Sequence, residues 1–74
     1  MSVANKVKAA MKIKGKDHSG LASFLGISNQ ALSNKFYRDS FSMSDMIKIA
    51  KYLECDLLLS LDETQTLAFT DEDI

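Results

Sequence analysis

The chain has few of the residues from which disulfides, metal sites and membrane spans are built. It contains one cysteine, Cys55, and one histidine, His18. An internal disulfide is therefore excluded, and so is a metal site made from a Cys and His cluster. No run of 18 apolar residues and no basic, hydrophobic leader is present, so we expect neither a membrane span nor a signal peptide. These features predict a cytoplasmic protein in which Cys55 is a packing residue; a redox-sensing or intermolecular thiol is the alternative.

The chain also has little of what an enzyme needs. It has no His and Cys spacing or paired-carboxylate spacing that would build a catalytic site and no glycine-rich phosphate loop, and 74 residues leave no room for a large cleft beside a core. We therefore predict a protein without catalytic activity, without a cofactor and without an evident small-molecule ligand. Its length supports one small, marginally stable domain, which a second subunit would help to stabilise.

The most informative stretch is residues 17–38, in which two short amphipathic segments meet at Gly26. The first has apolar residues on one helical face and is preceded by Asp17 as an N-cap, which predicts a helix over about 18–25. Gly26 suits the left-handed position that ends a helix. Ser28 can cap a second helix that follows directly.

The second helix, about residues 29–37, has two different faces. Leu32 and Phe36 are four residues apart and face the core. The positions that face solvent or a ligand are Asn29, Gln30, Ser33, Asn34 and Tyr37. Such a face can present amides and hydroxyls to a DNA groove, and the helix ends in two cations, Lys35 and Arg38.

The segment LASFLGISNQALSNKF, residues 21–36, resembles the helix-turn-helix of the phage repressor and Cro proteins, the lambda-repressor-like DNA-binding domains. The matching positions are Ala22, Gly26, Ile27, Ser28 and Leu32. Residues 42–53, SMSDMIKIAKYL, are similar to the fourth helix of that family, and the two motifs together cover about residues 3–56. The resemblance implies a mainly α fold, a bundle of four to five helices, and a transcriptional regulator that binds DNA.

The chain departs from the family pattern at three places. Gly20 stands where the family often has Glu, which we expect to weaken the helix by roughly 1 kcal/mol. Glu54 replaces a frequent Gly after the fourth helix, so we expect that helix to run on or to end less sharply. Residues 37–40 lack the usual Glu-x-Gly ending of the second motif helix.

Two further helices complete the predicted bundle. Ser2 caps a helix over about 3–13 that Gly15 ends, and Ser42 and Asp45 form a capping box that opens the fourth helix. The predicted buried stripe of the first helix is Val3, Val7, Ala10 and Met11. That of the fourth helix is Met43, Met46, Ile47, Ile49, Ala50 and Leu53.

The hydrophobic period changes from helical to alternating after residue 53. Residues 57–61 and 66–70 flank a polar turn, which predicts a β-hairpin; the alternative is a fifth helix over 56–61. Residues 70–74 are expected to form a frayed, solvated tail. We divide the chain into a helix-turn-helix DNA-binding part, 1–56, and a hairpin with an acidic tail, 57–74, within one domain. Because an isolated hairpin is only marginally stable, we expect it to pack on the helices or to pair with a second subunit in a homodimer.

Charge is distributed unevenly along the chain. Residues 1–40 carry seven Lys or Arg and two acids, a formal charge of +5, whereas residues 41–74 carry two Lys and eight acids, a charge of −6. Such asymmetry indicates that the basic end of the molecule binds a polyanion. The basic total is modest, so we expect few phosphate contacts from each subunit and binding by two subunits.

The resemblance implies which residues contact double-stranded DNA. Those that would reach base edges are Asn29, Gln30, Ser33 and Asn34, and amide side chains suit the edge of adenine in the major groove. His18 and Ser19, at the start of a helix, would meet a phosphate. Ser28, Lys35 and Arg38 complete the predicted set, with Lys35 and Arg38 on the DNA backbone and Lys14 or Lys16 adding a longer reach. The alternative is that these are ordinary solvent-facing polar residues.

These observations predict a sequence-specific transcriptional regulator, a repressor that binds a palindromic operator. The alternative is a protein-interaction module of the antitoxin or anti-repressor type that keeps the helix-turn-helix shape. A partner surface should expose Leu, Phe or Met, whereas the outer face of residues 29–38 exposes amides, Ser, Lys and Arg. The composition of that face therefore favours DNA.

Overall fold

The computed structural model describes residues 2–74, which form four helices followed by a two-stranded antiparallel sheet. The helices are α1 (Val3–Lys14), α2 (His18–Leu25), α3 (Asn29–Arg38) and α4 (Met43–Tyr52), the strands are β1 (Leu57–Ser60) and β2 (Thr66–Phe69), and a 3-10 turn spans Asp71–Asp73. The mainly α fold with a C-terminal hairpin is confirmed, and the alternative of a fifth helix over 56–61 is wrong.

Each helix begins at the N-cap residue that the sequence predicts. The side-chain oxygens of Ser2, Asp17, Ser28 and Ser42 each accept a hydrogen bond from the backbone N–H three residues further on. At α4 the carboxylate of Asp45 also accepts from the N–H of Ser42, which completes the predicted capping box. The helix starts therefore follow from local sequence alone.

The helix ends use both glycine and non-glycine residues in the left-handed conformation. Gly15 and Gly26 have φ of 68° and 73°, as predicted, and Asp39 and Glu54 have φ of 54°. The N–H groups of Glu54 and Cys55 donate to the carbonyls of the last turn of α4. The expectation that α4 would run on is wrong, because Glu54 adopts the conformation that a Gly would have had.

The core lies where the inner faces of the four helices meet. Its buried members are Ala4, Val7, Met11, Leu21, Ala22, Leu32, Ile47, Ile49, Ala50 and Leu53. Two predicted core residues, Val3 and Met43, are exposed instead. Each is the first residue of its helix, and side chains there tilt back past the helix end and away from the packed turns. In α1, Ala4 takes the buried position that was expected for Val3.

The hairpin packs on the helices only at its base. Leu57 and Phe69, which face each other in the register, are half-buried, whereas the rest of both strands is exposed. In the turn, Asp62 accepts hydrogen bonds from the N–H groups of Thr64 and Gln65, and these bonds lower the pKa of its carboxyl. The sheet thus projects from the bundle beyond its first residue pair.

Two expectations about the C-terminal part are wrong. Residues 71–73 are not a frayed tail, because Thr70 caps a 3-10 turn there and Asp71 forms an ion pair with Lys51 of α4. Cys55 is exposed and is not a packing residue. It follows the left-handed Glu54, where the chain leaves α4 on the surface of the bundle.

Candidate nucleic-acid interface

Helices α2 and α3 form a tight helix-turn-helix. Gly26 reverses the chain in the left-handed conformation, and the N–H of Ile27 donates to the carbonyl of Ala22. Leu32 is fully buried and Phe36 packs against the core, so the opposite face of α3 is turned outward. The exposed side chains of that face are Asn29, Gln30, Ser33, Asn34, Tyr37 and Arg38.

Two amide side chains of this face are hydrogen-bonded to each other. The Nε2 group of Gln30 donates to Oδ1 of Asn34, four residues later, at 3.3 Å. The remaining N–H and carbonyl groups of the two side chains stay open to solvent, because both residues are exposed. The pair therefore presents a donor and an acceptor side by side, which is the pattern that an adenine edge requires.

His18 connects the start of α2 to α3. Its Nε2 lies 3.1 Å from the backbone oxygen of Asn29 and 3.4 Å from Oγ of Ser33. The ring is also tilted against Phe36, with the centroids 5.8 Å apart. The His18 ring therefore positions α3 against α2, and its contact with a phosphate stays a prediction, as does that of the neighbouring, exposed Ser19.

Lys35 connects α3 to α4. Its Nζ lies 2.9 Å from Oδ2 of Asp45, and the two side chains are 30% and 19% exposed. Partial burial raises the pKa of Asp45, but the hydrogen bond from the Ser42 N–H and the Lys35 ammonium outweigh it and hold that pKa below its ordinary value. Lys35 thus has a partner within the domain, and its contact with the DNA backbone stays a prediction.

The end of α3 is tied to α1. Asp39, in the left-handed conformation, accepts a hydrogen bond of 2.6 Å from the backbone N–H of Ala4 in the first turn of α1. Arg38 immediately precedes it and is exposed. This bond supplies a partner for a helix N–H that has none within α1 and fixes the position of α3 at its C-terminal end.

A strip of lysines lies beside the exposed face of α3. Lys8, Lys12 and Lys16, the lysine strip, follow one another every four residues. Lys8 lines a groove of about 340 Å³ with Ser33 and Tyr37 of α3, and all three lysines line a second groove of about 340 Å³; His18 and Phe36 belong to both grooves. The Lys8 ammonium lies 5.3 Å from the Phe36 ring centroid. Sequence reasoning proposed Lys14 or Lys16 for long-range contacts and left Lys8 and Lys12 aside, although the four-residue spacing was visible.

Among residues 2–74 no group of three or more His, Cys, Asp and Glu residues is placed to hold a metal ion. None of the helices in this range combines the length and apolarity needed to cross a membrane.

Comparison with known proteins identifies the family. The model of the bacteriophage CI repressor helix-turn-helix domain matches residues 2–65, a span that contains all four helices and β1. No curated protein and no solved structure matches the chain. Because the match covers most of the sequence and the fold has the helix-turn-helix described above, the chain belongs to the bacteriophage CI repressor helix-turn-helix family and is a DNA-binding regulator.

Proposed function

We propose that the protein is a repressor that binds a palindromic DNA operator as a homodimer, with α3 of each subunit in the major groove. The exposed face of α3 is the observation that carries this proposal. It holds three amides, the hydroxyls of Ser33 and Tyr37 and one guanidinium, and two apolar residues on the opposite side, Leu32 and Phe36, anchor it to the core.

Base recognition is assigned to Asn29, Gln30, Ser33 and Asn34. The hydrogen bond between Gln30 and Asn34 limits the rotamers of both side chains before DNA arrives. Each amide can donate to N7 or accept from N6 of adenine only in a suitable orientation, so this restriction favours a defined base over its competitors. We expect A·T pairs at the positions that these two residues contact.

Phosphate contacts are assigned to both sides of that face. The lysine strip lies on one side, and Arg38 extends from the last turn of α3. Ser19, Ser28 and the N–H groups at the helix starts add neutral donors. The number of cations is small for one subunit, which is why we propose that two subunits bind together.

Repression is proposed to work by occlusion. The described residues form four helices and a hairpin, and the proposed contacts use the helices. A bound dimer covering two half-sites would exclude other proteins from the same DNA.

A selection of bound sequences from a random duplex library at physiological salt tests this proposal. We expect a two-fold symmetric motif with half-sites about one helical turn, roughly 34–36 Å, apart. If no sequence is enriched and binding is weak and purely salt-dependent, the proposal is wrong. The surface of α3 would then belong to a protein-interaction module.

Gln30→Ala tests the role of α3 in reading bases. We expect it to weaken binding to the selected site by about 1–3 kcal/mol and to relax the preference at one position of each half-site. Binding to scrambled DNA should change little, because phosphate contacts remain. Gln65→Ala, which removes an exposed amide from the hairpin turn, is the matched control and should bind as the wild type does. Equal losses on selected and scrambled DNA for Gln30→Ala would contradict base reading.

A further inference from the structure

The hairpin carries a large apolar surface for so small a domain. Four of its leucines, Leu58, Leu59, Leu61 and Leu67, are between 48 and 56% exposed. No Lys, Arg or Pro occurs in either strand. Residues 2–74 therefore leave about half of each of these side chains open to solvent, and exposed apolar clusters on small proteins usually mark an interaction surface.

Most of this surface continues the face that packs on the helices. In the register of the sheet, Leu57 faces Phe69 and Leu59 faces Leu67, so the two pairs lie on the same side. The first pair is half-buried at the base of the hairpin. The second pair lies further along the same apolar face, beyond the helices. The helices therefore cover only about half of this face of the sheet.

The edges of the sheet are also open. It has only two strands, so each strand has one edge with no strand against it. Natural proteins protect such edges with Lys, Pro, inward charges or bulges, and none of these occurs here in β1 or β2. A two-stranded sheet alone is also marginally stable. Addition of strands from another chain would satisfy the open edge and extend the apolar face.

We infer that the hairpins of two copies of this chain pair edge to edge through β1, forming a four-stranded antiparallel sheet that holds the homodimer together. This inference rests on the proposed function in one respect, since a palindromic operator requires two subunits. It adds the location of the contact, on the strands and away from α3.

The composition of β1 makes a second copy the fitting occupant. Residues 57–61 contain four leucines and a serine and no charge. In a two-fold antiparallel pairing each of these residues lies opposite another residue of the same segment, so leucines meet leucines or the serine. A partner for this edge therefore needs an apolar, uncharged strand, and β1 of a second copy is such a strand.

The charges around the two strands favour β1 over β2. β2 leads into three successive acids, Asp71–Asp73, and pairing through β2 would place these beside the acidic hairpin turn of the other copy. At the start of β1, Lys6 lines the same groove as Asp56 and Leu57. Pairing through β1 brings the acidic turn of one copy to a region of the other where Lys6 accompanies Asp56, so the turn meets less repulsion there than beside three successive acids.

The oligomeric state of the full chain without DNA tests the inference. We expect the wild type to sediment as a dimer at tens of micromolar. Leu59→Glu should weaken association by at least about 100-fold, because it places two carboxylates, one from each copy, at the centre of the interface, where both are desolvated and repel each other. Ile13→Glu is the matched control, because Ile13 is 83% exposed on α1, outside the hairpin. It should remain a dimer. Circular dichroism confirms that each variant is folded.

A cross-linking experiment provides a second, positive readout. In a Cys55→Ser background, which removes the native thiol, Leu59→Cys should form an intermolecular disulfide under mild oxidation. Residue 59 is the middle of the segment 57–61, so in a two-fold pairing of that segment it lies opposite residue 59 of the other copy, with the Cβ atoms about 4.5–5.5 Å apart. Ile13→Cys in the same background should cross-link only at the slow rate of random collision.

Three results would overturn the inference: a wild type that is monomeric at these concentrations, an unchanged dimer for Leu59→Glu, or equal cross-linking of the two cysteine variants. None of these measurements contains DNA. A dimer that depends on Leu59 but selects no DNA sequence would therefore refute the proposed function and leave the interface standing. If the selected DNA site is palindromic but dimerisation does not depend on Leu59, the proposed function stands and the inferred interface is refuted.

Discussion

At the scale of single residues, Gly20 is explained by a contact with Tyr52. A Cβ atom at Gly20 would lie 2.1 Å from Oη of Tyr52 and 2.7 Å from Oδ1 of Asp17. Tyr52 is held by neighbours on two sides, with the Phe24 ring centroid 5.3 Å away and the Lys16 ammonium 5.3 Å from its own centroid. The glycine thus gives up helix propensity so that the tyrosine can pack across the start of α2.

This contact predicts that the effect of Gly20→Ala depends on Tyr52. In the wild type we expect the free energy of unfolding to fall by about 1 kcal/mol, because overlap with Oη outweighs the gain in helix propensity. In a Tyr52→Phe background, which lacks Oη, the same substitution should cost less or stabilise. Urea unfolding of the four proteins gives the coupling energy, to which the Asp17 contact does not contribute because it occurs in both backgrounds. Equal effects in both backgrounds would refute the explanation.

At the scale of secondary-structure elements, two helices end in non-glycine residues with the same backbone conformation but different contacts. Asp39 after α3 and Glu54 after α4 both have φ of 54°. The Asp39 carboxylate accepts a hydrogen bond from the N–H of Ala4 and so joins α3 to α1. Both Asp39 and Glu54 carry the backbone strain of the left-handed region, but this long-range bond belongs to Asp39.

Glycine substitutions at these two helix ends should therefore have opposite effects. Glu54→Gly relieves strain and should raise the free energy of unfolding by about 0.5–1 kcal/mol. Asp39→Gly relieves the same strain but leaves the Ala4 N–H without its partner, so it should lower that free energy by about 1 kcal/mol or more. Thermal unfolding of both variants measures the difference. If both variants are stabilised equally, the bond between α3 and α1 contributes nothing.

At the scale of the whole molecule, opposite charges are concentrated in different regions of the fold. The lysine strip lies beside α3, whereas acids occupy the hairpin turn and the 3-10 turn at the other end of the sequence. A DNA duplex attracts the first region and repels the second. The net charge of −1 hides this separation, which orients the domain as it approaches DNA.

The salt dependence of DNA binding should report the lysine strip. Each phosphate contact contributes about 0.9 to the slope of log affinity against log salt. Replacing both Lys8 and Lys12 by Gln should therefore reduce the slope by about two, on selected and scrambled DNA alike. Lys48→Gln, on α4 in the acidic half, should leave the slope unchanged. Identical slopes for the double variant and the wild type would place the strip outside the DNA interface.

Much of the fold is readable from residues close together in the chain. The caps at Ser2, Asp17, Ser28 and Ser42 and the hairpin turn at Asp62 depend on side chains within about three positions of the backbone groups that they satisfy, and the turn between α2 and α3 depends on a glycine at its own position. For the same reason, the polar face of α3 could be identified from helical spacing. Local patterns therefore sufficed for the four helices, for the hairpin and for the surface that we propose to read DNA, but not for the 3-10 turn at residues 71–73.

Contacts between distant residues could not be read in this way. The Lys35–Asp45 ion pair, the Asp39–Ala4 bond, the His18–Asn29 bond and the overlap that keeps Gly20 a glycine each join different elements. The exposure of Cys55 and of the hairpin leucines likewise depends on how far α1 and α4 extend over the sheet. Periodicity shows which side of a helix or strand is apolar. The residues that this side packs against depend on how whole helices are placed relative to one another, and only the tertiary structure shows that placement.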